Sequence, residues 1–359
     1  MNMIFFATLA MSSYLVDTHQ DKLASTTVAA AKLDAATKAE TLNALVKDMD
    51  ELYIFPDVAK KIGATLKVWM TSDEYSGMTD PAEFTSKVNE ILKKEVTDAH
   101  LRFRYSESVL PKREKPTEPS NEELNRYKEQ TRYANSGFDS VKRLSGNLGY
   151  IEFSGFWSQK DMERPMEGAM KFLSNVDAMI VDLRHNGGGD PAGVQLFCSY
   201  FFDPKPVHLN NIFFRDGDKV EKTEYWTLKK LPAPRLPDVP LFVLTSKRTA
   251  SGAEECAYDF QQLKRATIIG ESTWGGANPG DVVRLSDHFS CFIPVGRANN
   301  PYSNTNWEGT GVLPDVKVTA TDALRQAQMM ALTGLIEKST DEQRKSDLKE
   351  ILDEVVNGS

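Results

Sequence analysis

Apolar residues recur at i, i+3, i+4 and i+7 over Leu42, Leu45, Val46, Met49 and Leu52, a spacing that predicts an amphipathic helix. A second helix is announced by Asp80-Pro81-Ala82-Glu83, which offers an N-cap acid, proline at the first position and glutamate at the third. Phe84, Val88, Ile91 and Leu92 then fall on one face of it. Residues 40–105 are therefore expected to form an N-terminal helical domain, after a leader over 1–39 that is Ala-, Thr- and Lys-rich from residue 21. Next, 106–147 carries Pro111, Pro116 and Pro119, many charges and few large apolar residues, which reads as a linker or helical arm.

From Leu148 the pattern changes to short apolar runs alternating with helical ones. Tyr150–Phe153, Ala178–Val181, Leu241–Leu244 and Ala266–Ile269 read as strands, the middle two apolar enough to be covered on both faces. Helical patterns follow them over Asp161–Ser174, from Asp190-Pro191 through Phe202, and through Ala253, Cys256, Ala257 and Phe260. Such alternation predicts an α/β core with parallel strands over 148–335, followed by a helical tail over 336–359.

Composition narrows the partners. The 359 residues are 40% apolar and 26% charged, as in ordinary globular proteins, and carry a formal charge of −8. That charge argues against nucleic acid. Three cysteines make no disulfide framework; Cys198 and Cys256 read as buried thiols and Cys291 as part of a strand. The apolar run Met3–Met11, followed by Ser12 and Ser13, has signal-peptide length but no preceding Lys or Arg. It is too short to span a bilayer. It leaves a periplasmic or secreted location as the expectation, with no stable membrane insertion.

Four clusters carry candidate chemistry. Ser251 follows a buried strand and opens a helix, where free backbone N–H groups and the helix dipole favour an oxyanion, although Ser251-x-x-Glu254 is also a capping box. Gly187-Gly188-Gly189 lies between a buried strand and a helix. Its backbone can turn N–H groups toward an anion or simply make a tight turn, and no Gly-Lys-Ser/Thr follows to make it a P-loop. His100 stands at the end of the helical domain, with His185 beside the glycine loop as its competitor for a base role. Glu308 sits in the Gly-punctuated loop Trp307–Asp315, where it can orient an imidazole or stay a solvated acid. The histidines include no metal-type pair, so neither metal nor cofactor is expected.

In order and spacing these pieces resemble the carboxy-terminal processing peptidase superfamily, in its branch related to tricorn protease and interphotoreceptor retinoid-binding protein. The matching pieces are Tyr53-Ile54-Phe55-Pro56, Asp98-Ala99-His100-Leu101, Asp182–Gly189, Thr249-Ala250-Ser251, Gly270–Thr273 with Gly275-Gly276-Ala277, and Ile293–Arg297 leading to Trp307–Asp315. The resemblance implies a crotonase-like (ClpP-like) spiral core with an N-terminal helical domain and no PDZ domain. It implies Ser251 as nucleophile, His100 as base and Glu308 as the assisting carboxylate. Oxyanion donors would come from Gly188 or Gly189 and from Gly252, and substrate contacts from Gly275, Gly276 and Arg297.

Two departures stand out. The lysine that some relatives use about twenty-five residues after the serine is replaced by Gly276, and no lysine lies between Lys264 and Lys317. A serine precedes the histidine in tricorn-like enzymes, whereas here it is Ala99. The expected activity is hydrolysis of peptides or unfolded proteins through an acyl-enzyme, with kcat/KM falling below roughly pH 6.5 if an ordinary imidazole is the base. The alternative is a non-catalytic module binding retinoids or fatty acids on the same scaffold. The oligomeric state is not legible.

Overall fold

The computed structural model describes residues 32–112 and 120–358. The apolar run Met3–Met11 lies outside the described residues. In chain order the elements are α1 (Ala35–Leu52), α2 (Pro56–Trp69), α3 (Asp73–Gly77), α4 (Pro81–Glu95), β1 (Arg102–Tyr105), α5 (Asn121–Tyr133), β2 (Phe138–Leu144) and β3 (Leu148–Phe153). There follow α6 (Gln159–Phe172), β4 (Ala178–Asp182), α7 (Pro191–Ser199), β5 (His208–Asp216), β6 (Lys219–Trp226), β7 (Leu241–Thr245) and α8 (Gly252–Gln262). The remainder is β8 (Thr267–Gly270), β9 (Gly280–Arg284), β10 (Phe289–Pro294), β11 (Gly296–Asn299), β12 (Val316–Lys317), α9 (Ala323–Lys338) and α10 (Glu342–Asn357). Among the described residues no helix is long and apolar enough to cross a membrane.

The chain divides into two compact units. The first takes the described part of Met1–Asn121 together with Ile212–Thr223 and Asn278–Ala298; the second takes Glu122–Asn211, Glu224–Ala277 and the rest from Asn299.

In the first unit the helices form where the periodicity places them. Leu42, Leu45 and Met49 are buried on α1, with Val46 and Leu52 packed at the margin. This helix starts at Ala35, ahead of the expected boundary, because Asp34 caps it by accepting from Thr37 N at 2.7 Å. Asp80 caps α4 in the same way, through Glu83 N at 2.8 Å, and Phe84, Val88, Ile91 and Leu92 are all buried. These helices close over a three-stranded antiparallel sheet of order β1–β10–β9, whose Phe103, Phe289, Cys291 and Ile293 complete the core.

The second unit is built on a six-stranded sheet of order β12–β8–β7–β4–β3–β2. Every neighbouring pair is parallel except β2–β3. On one face, Leu148, Ile180, Leu244 and Ile269 pack against Ala323, Ala327, Ala331 and Leu332 of α9 and Leu348 of α10. Facing the other helices, Phe153 meets Phe197 of α7 at 4.9 Å between ring centroids, and Phe201 meets Phe260 of α8 at 5.6 Å. The stretch 106–147, expected as a linker or arm, carries the exposed helix α5 and then β2, the antiparallel edge strand of this sheet. A third sheet has the order β11–β5–β6.

Candidate active site

The second unit contains Ser251, Glu308, Gly188, Gly189, Gly252, Gly275 and Gly276. Strand β7 delivers the chain to Thr245, and Ser251 caps α8 with φ 53° and ψ −121°. A non-glycine residue at positive φ is strained, and such strain concentrates where a backbone must aim one side chain. What holds this turn is the neighbouring loop after β4. Thr249 Oγ1 donates to Leu183 O at 2.8 Å, Ser246 Oγ to Arg184 O at 2.6 Å, and Ala250 N to Asn186 O at 3.1 Å.

The glycine loop fits against this turn with no room to spare. Gly188 and Gly189 have φ of 100° and 136°. A Cβ on Gly188 would stand 2.7 Å from Ser251 Cβ and from Gly252 N, and one on Gly189 would stand 1.9 Å from Phe156 O. Phe156 forms a parallel bridge with Gly189, in which Phe156 N donates to Gly188 O at 2.7 Å and Asp190 N donates to Phe156 O at 2.8 Å. The Gly189 N–H takes no part in that bridge. Gly188 N–H is already committed, donating to Asn186 Oδ1 at 2.9 Å. Asn186 is fully buried, and its amide also donates to Phe153 O at 2.9 Å. Nothing in the local pattern marks that asparagine as the residue that sets the loop.

Glu308 belongs to a second pair of interlocked loops. Its Oε2 accepts from Ala277 N at 2.6 Å. Trp307 Nε1 donates to Gly276 O at 2.8 Å, and Gly309 N donates to Gly275 O at 2.9 Å. Gly275 and Gly276 therefore already serve as backbone partners of the Glu308 loop. His185, the competitor for the base role, is more than half exposed and lies 3.7 Å from Glu152.

His100 and Arg297 lie in the first unit. His100 is buried and stacks on Phe292, with ring centroids 5.4 Å apart. Its backbone N–H donates to Asp98 Oδ1 at 3.1 Å. Asp98 Oδ2 accepts from Tyr53 OH and from Asn278 Nδ2, each at 3.0 Å, so the motif tyrosine and the motif aspartate meet beside the histidine. Burial, and secondarily the positive charge of Arg102, lowers the His100 pKa to about 4. That burial keeps the ring neutral well below the ordinary imidazole range. Burial pushes the Asp98 carboxyl up, against the pull of its donors. Arg297 lays its guanidinium over the Phe213 ring at 4.8 Å from the centroid.

Residues 147–318 match the model of peptidase family S41. Among curated proteins, the chain is 30% identical over 182 residues to the chloroplastic carboxyl-terminal-processing peptidase 2 of Arabidopsis thaliana, covering 48% of this chain and 32% of that one. It is 24% identical over 189 residues to the carboxy-terminal processing protease CtpB of Bacillus subtilis, covering 52% and 37%. The matched part thus spans about a third of the length of these curated relatives. Among solved structures, a candidate peptidase from Parabacteroides merdae superposes with a TM-score of 0.57 at 17% identity, covering 82% of this chain and 96% of that one. A lipoprotein from Streptococcus agalactiae gives 0.51 at 17% identity, covering 83% and 96%. Both share the fold of this chain.

Proposed function

We propose that the protein is a serine peptidase that cleaves peptides or unfolded proteins through an acyl-enzyme, with Ser251 as nucleophile. The observation that carries this reading is the backbone of Ser251. It stands at positive φ at the head of a buried helix, packed so closely on Gly188 that any side chain there would collide with Ser251. Relatives named as processing peptidases support hydrolysis over ligand storage.

In the proposed reaction His100 takes the Ser251 Oγ proton as Oγ attacks the scissile carbonyl carbon. The carbonyl electrons move to oxygen, where the amides of Gly189 and Gly252 stabilise them. Gly188 is released from that role by its bond to Asn186. The protonated imidazole then gives its proton to the leaving amine, and water reverses the sequence to free the acyl group. Glu308 assists His100, while Gly275, Gly276 and Arg297 line the substrate's path. The core would be crotonase-like, which accords with parallel strands β3, β4, β7, β8 and β12 lying side by side in chain order. Residues 106–147 would take the place of a PDZ domain, and the site of action would be outside the cytoplasm.

The test is covalent labelling by a fluorophosphonate, read by intact mass. One adduct on the wild type, lost in Ser251→Ala and in His100→Ala, is the expected result. The labelling rate should hold down to pH 5 and fall only toward pH 4, following the lowered imidazole pKa. A folded wild type that takes no adduct overturns the proposal.

A further inference from the structure

Glu254 is read from the chain as the second half of a capping box, and its carboxylate does accept from Ser251 N at 2.8 Å on Oε2. The structure adds three donors from a loop about twenty residues further on. Oε1 accepts from Thr273 Oγ1 at 2.5 Å and from Gly275 N at 2.6 Å, and Oε2 accepts from Gly276 N at 3.0 Å. The side chain is completely buried, and no basic group is among these partners. A helix cap needs the first bond alone. The other three tie the turn that carries Ser251 to the loop that feeds Ala277 N to Glu308 Oε2.

We infer that Glu254 is a positioning residue for the reaction, one carboxylate that fixes the Ser251 backbone and the Gly275–Gly276 loop in a single register. This rests on the reading of Ser251 as nucleophile. Each oxygen receives two donors, and at least one on each is a backbone N–H that cannot reverse its role. An ionised carboxylate accepts at about four lone-pair sites and donates nowhere, so it meets all four. Glutamine does not, since its NH2 must face Gly275 N–H in one orientation and the Ser251 and Gly276 N–H groups in the other. The near-isosteric Glu254→Gln change therefore separates shape from acceptor capacity. Misplacing a reacting group by about 1 Å costs on the order of 100-fold in rate, which sets the scale of the effect.

The experiment compares full-length wild type, Glu254→Gln and Thr273→Val. The fluorophosphonate labelling rate is measured per folded molecule, with kcat and KM on a chromogenic peptide. Glu254→Gln should label about 100-fold more slowly, with kcat falling in step and KM staying within about threefold. Thr273→Val removes one donor to the carboxylate, together with the acceptor of Val312 N–H, leaves the carboxylate itself, and should slow labelling about tenfold. If Glu254→Gln does not fold, Thr273→Val carries the test. Variants that unfold more easily yet label at the wild-type rate while folded would reduce Glu254 to a cap and overturn the inference. A wild type that does not label at all would instead sink the assignment of Ser251.

Discussion

The first two turns of α8 bury acids in opposite ways. Glu254 in the first turn is met by four donors from two chain segments. Its neighbour Glu255, with Asp259 one turn on, is equally buried but poorly met. Asp259 Oδ1 accepts from Asn300 Nδ2 at 3.1 Å, while its Oδ2 has no hydrogen-bond partner, and neither polar atom of Asn210 beside Glu255 makes a well-formed bond. Burial is the first cause that pushes all three carboxyls up, and at Glu254 its four donors pull the other way. Asp190 adds repulsion at Glu255, which rises to about 7, and Glu255 adds it at Asp259. The lesson is that burial alone does not decide what a carboxyl becomes. Donor geometry makes Glu254 an anchor, and its absence makes the next pair proton holders.

That contrast can be broken most forcefully at the anchor. Glu254→Ala leaves four buried donors without an acceptor and should cost about 3–5 kcal/mol of stability, measured by denaturant unfolding at constant pH. A loss below about 1 kcal/mol would mean that water replaces the carboxylate and that the two turns differ little.

A middle-sized effect of opposite sign is expected one turn on. The folded state holds protons on Glu255 and Asp259 that the unfolded chain gives up above the ordinary carboxylate range. Their contribution is therefore intact at low pH and is lost as pH rises from about 4.3 through 7 and beyond. Glu255→Gln and Asp259→Asn should each stabilise the protein at pH 8 by about 1–3 kcal/mol and flatten its stability between pH 5 and 8. Unchanged pH slopes in both variants would show that the pair is solvated after all.

The smallest effect sits at the junction with the nucleophile. If φ 53° at Ser251 is strained, Ser251→Gly should be more stable than Ser251→Ala by about 1 kcal/mol. Equal stabilities would mean that the Glu254 tie imposes no strain there.

What was legible from the chain divides along the same line. The buried strands β3, β4, β7 and β8 and the helices α1 and α4 emerge where expected, because apolar runs and local caps are written in neighbouring residues. Strand β2 hides in Phe138–Leu144, whose mixed polar pattern is that of an edge. The Ser251-x-x-Glu254 box was legible as a cap, but its long-range half was not, since nothing near Glu254 announces Thr273, Gly275 or Gly276. Asn186 and Asp98 stood within recognised motifs, but what they bind was hidden for the same reason. Their partners Phe153 and Asn278 lie 33 and 180 residues away along the chain.

The cover on one face of the large sheet has a consequence for biosynthesis. Leu244 and Ile269 are sealed by α9 and α10, whose last element ends at Asn357. A ribosome adding about 5–20 residues per second leaves that greasy face bare for on the order of ten seconds after its strands emerge. In that interval the exposed apolar face makes the nascent protein prone to aggregation. Variants that weaken the α9–α10 lid should show themselves first as poor yield from the cell, before any change in the purified molecule.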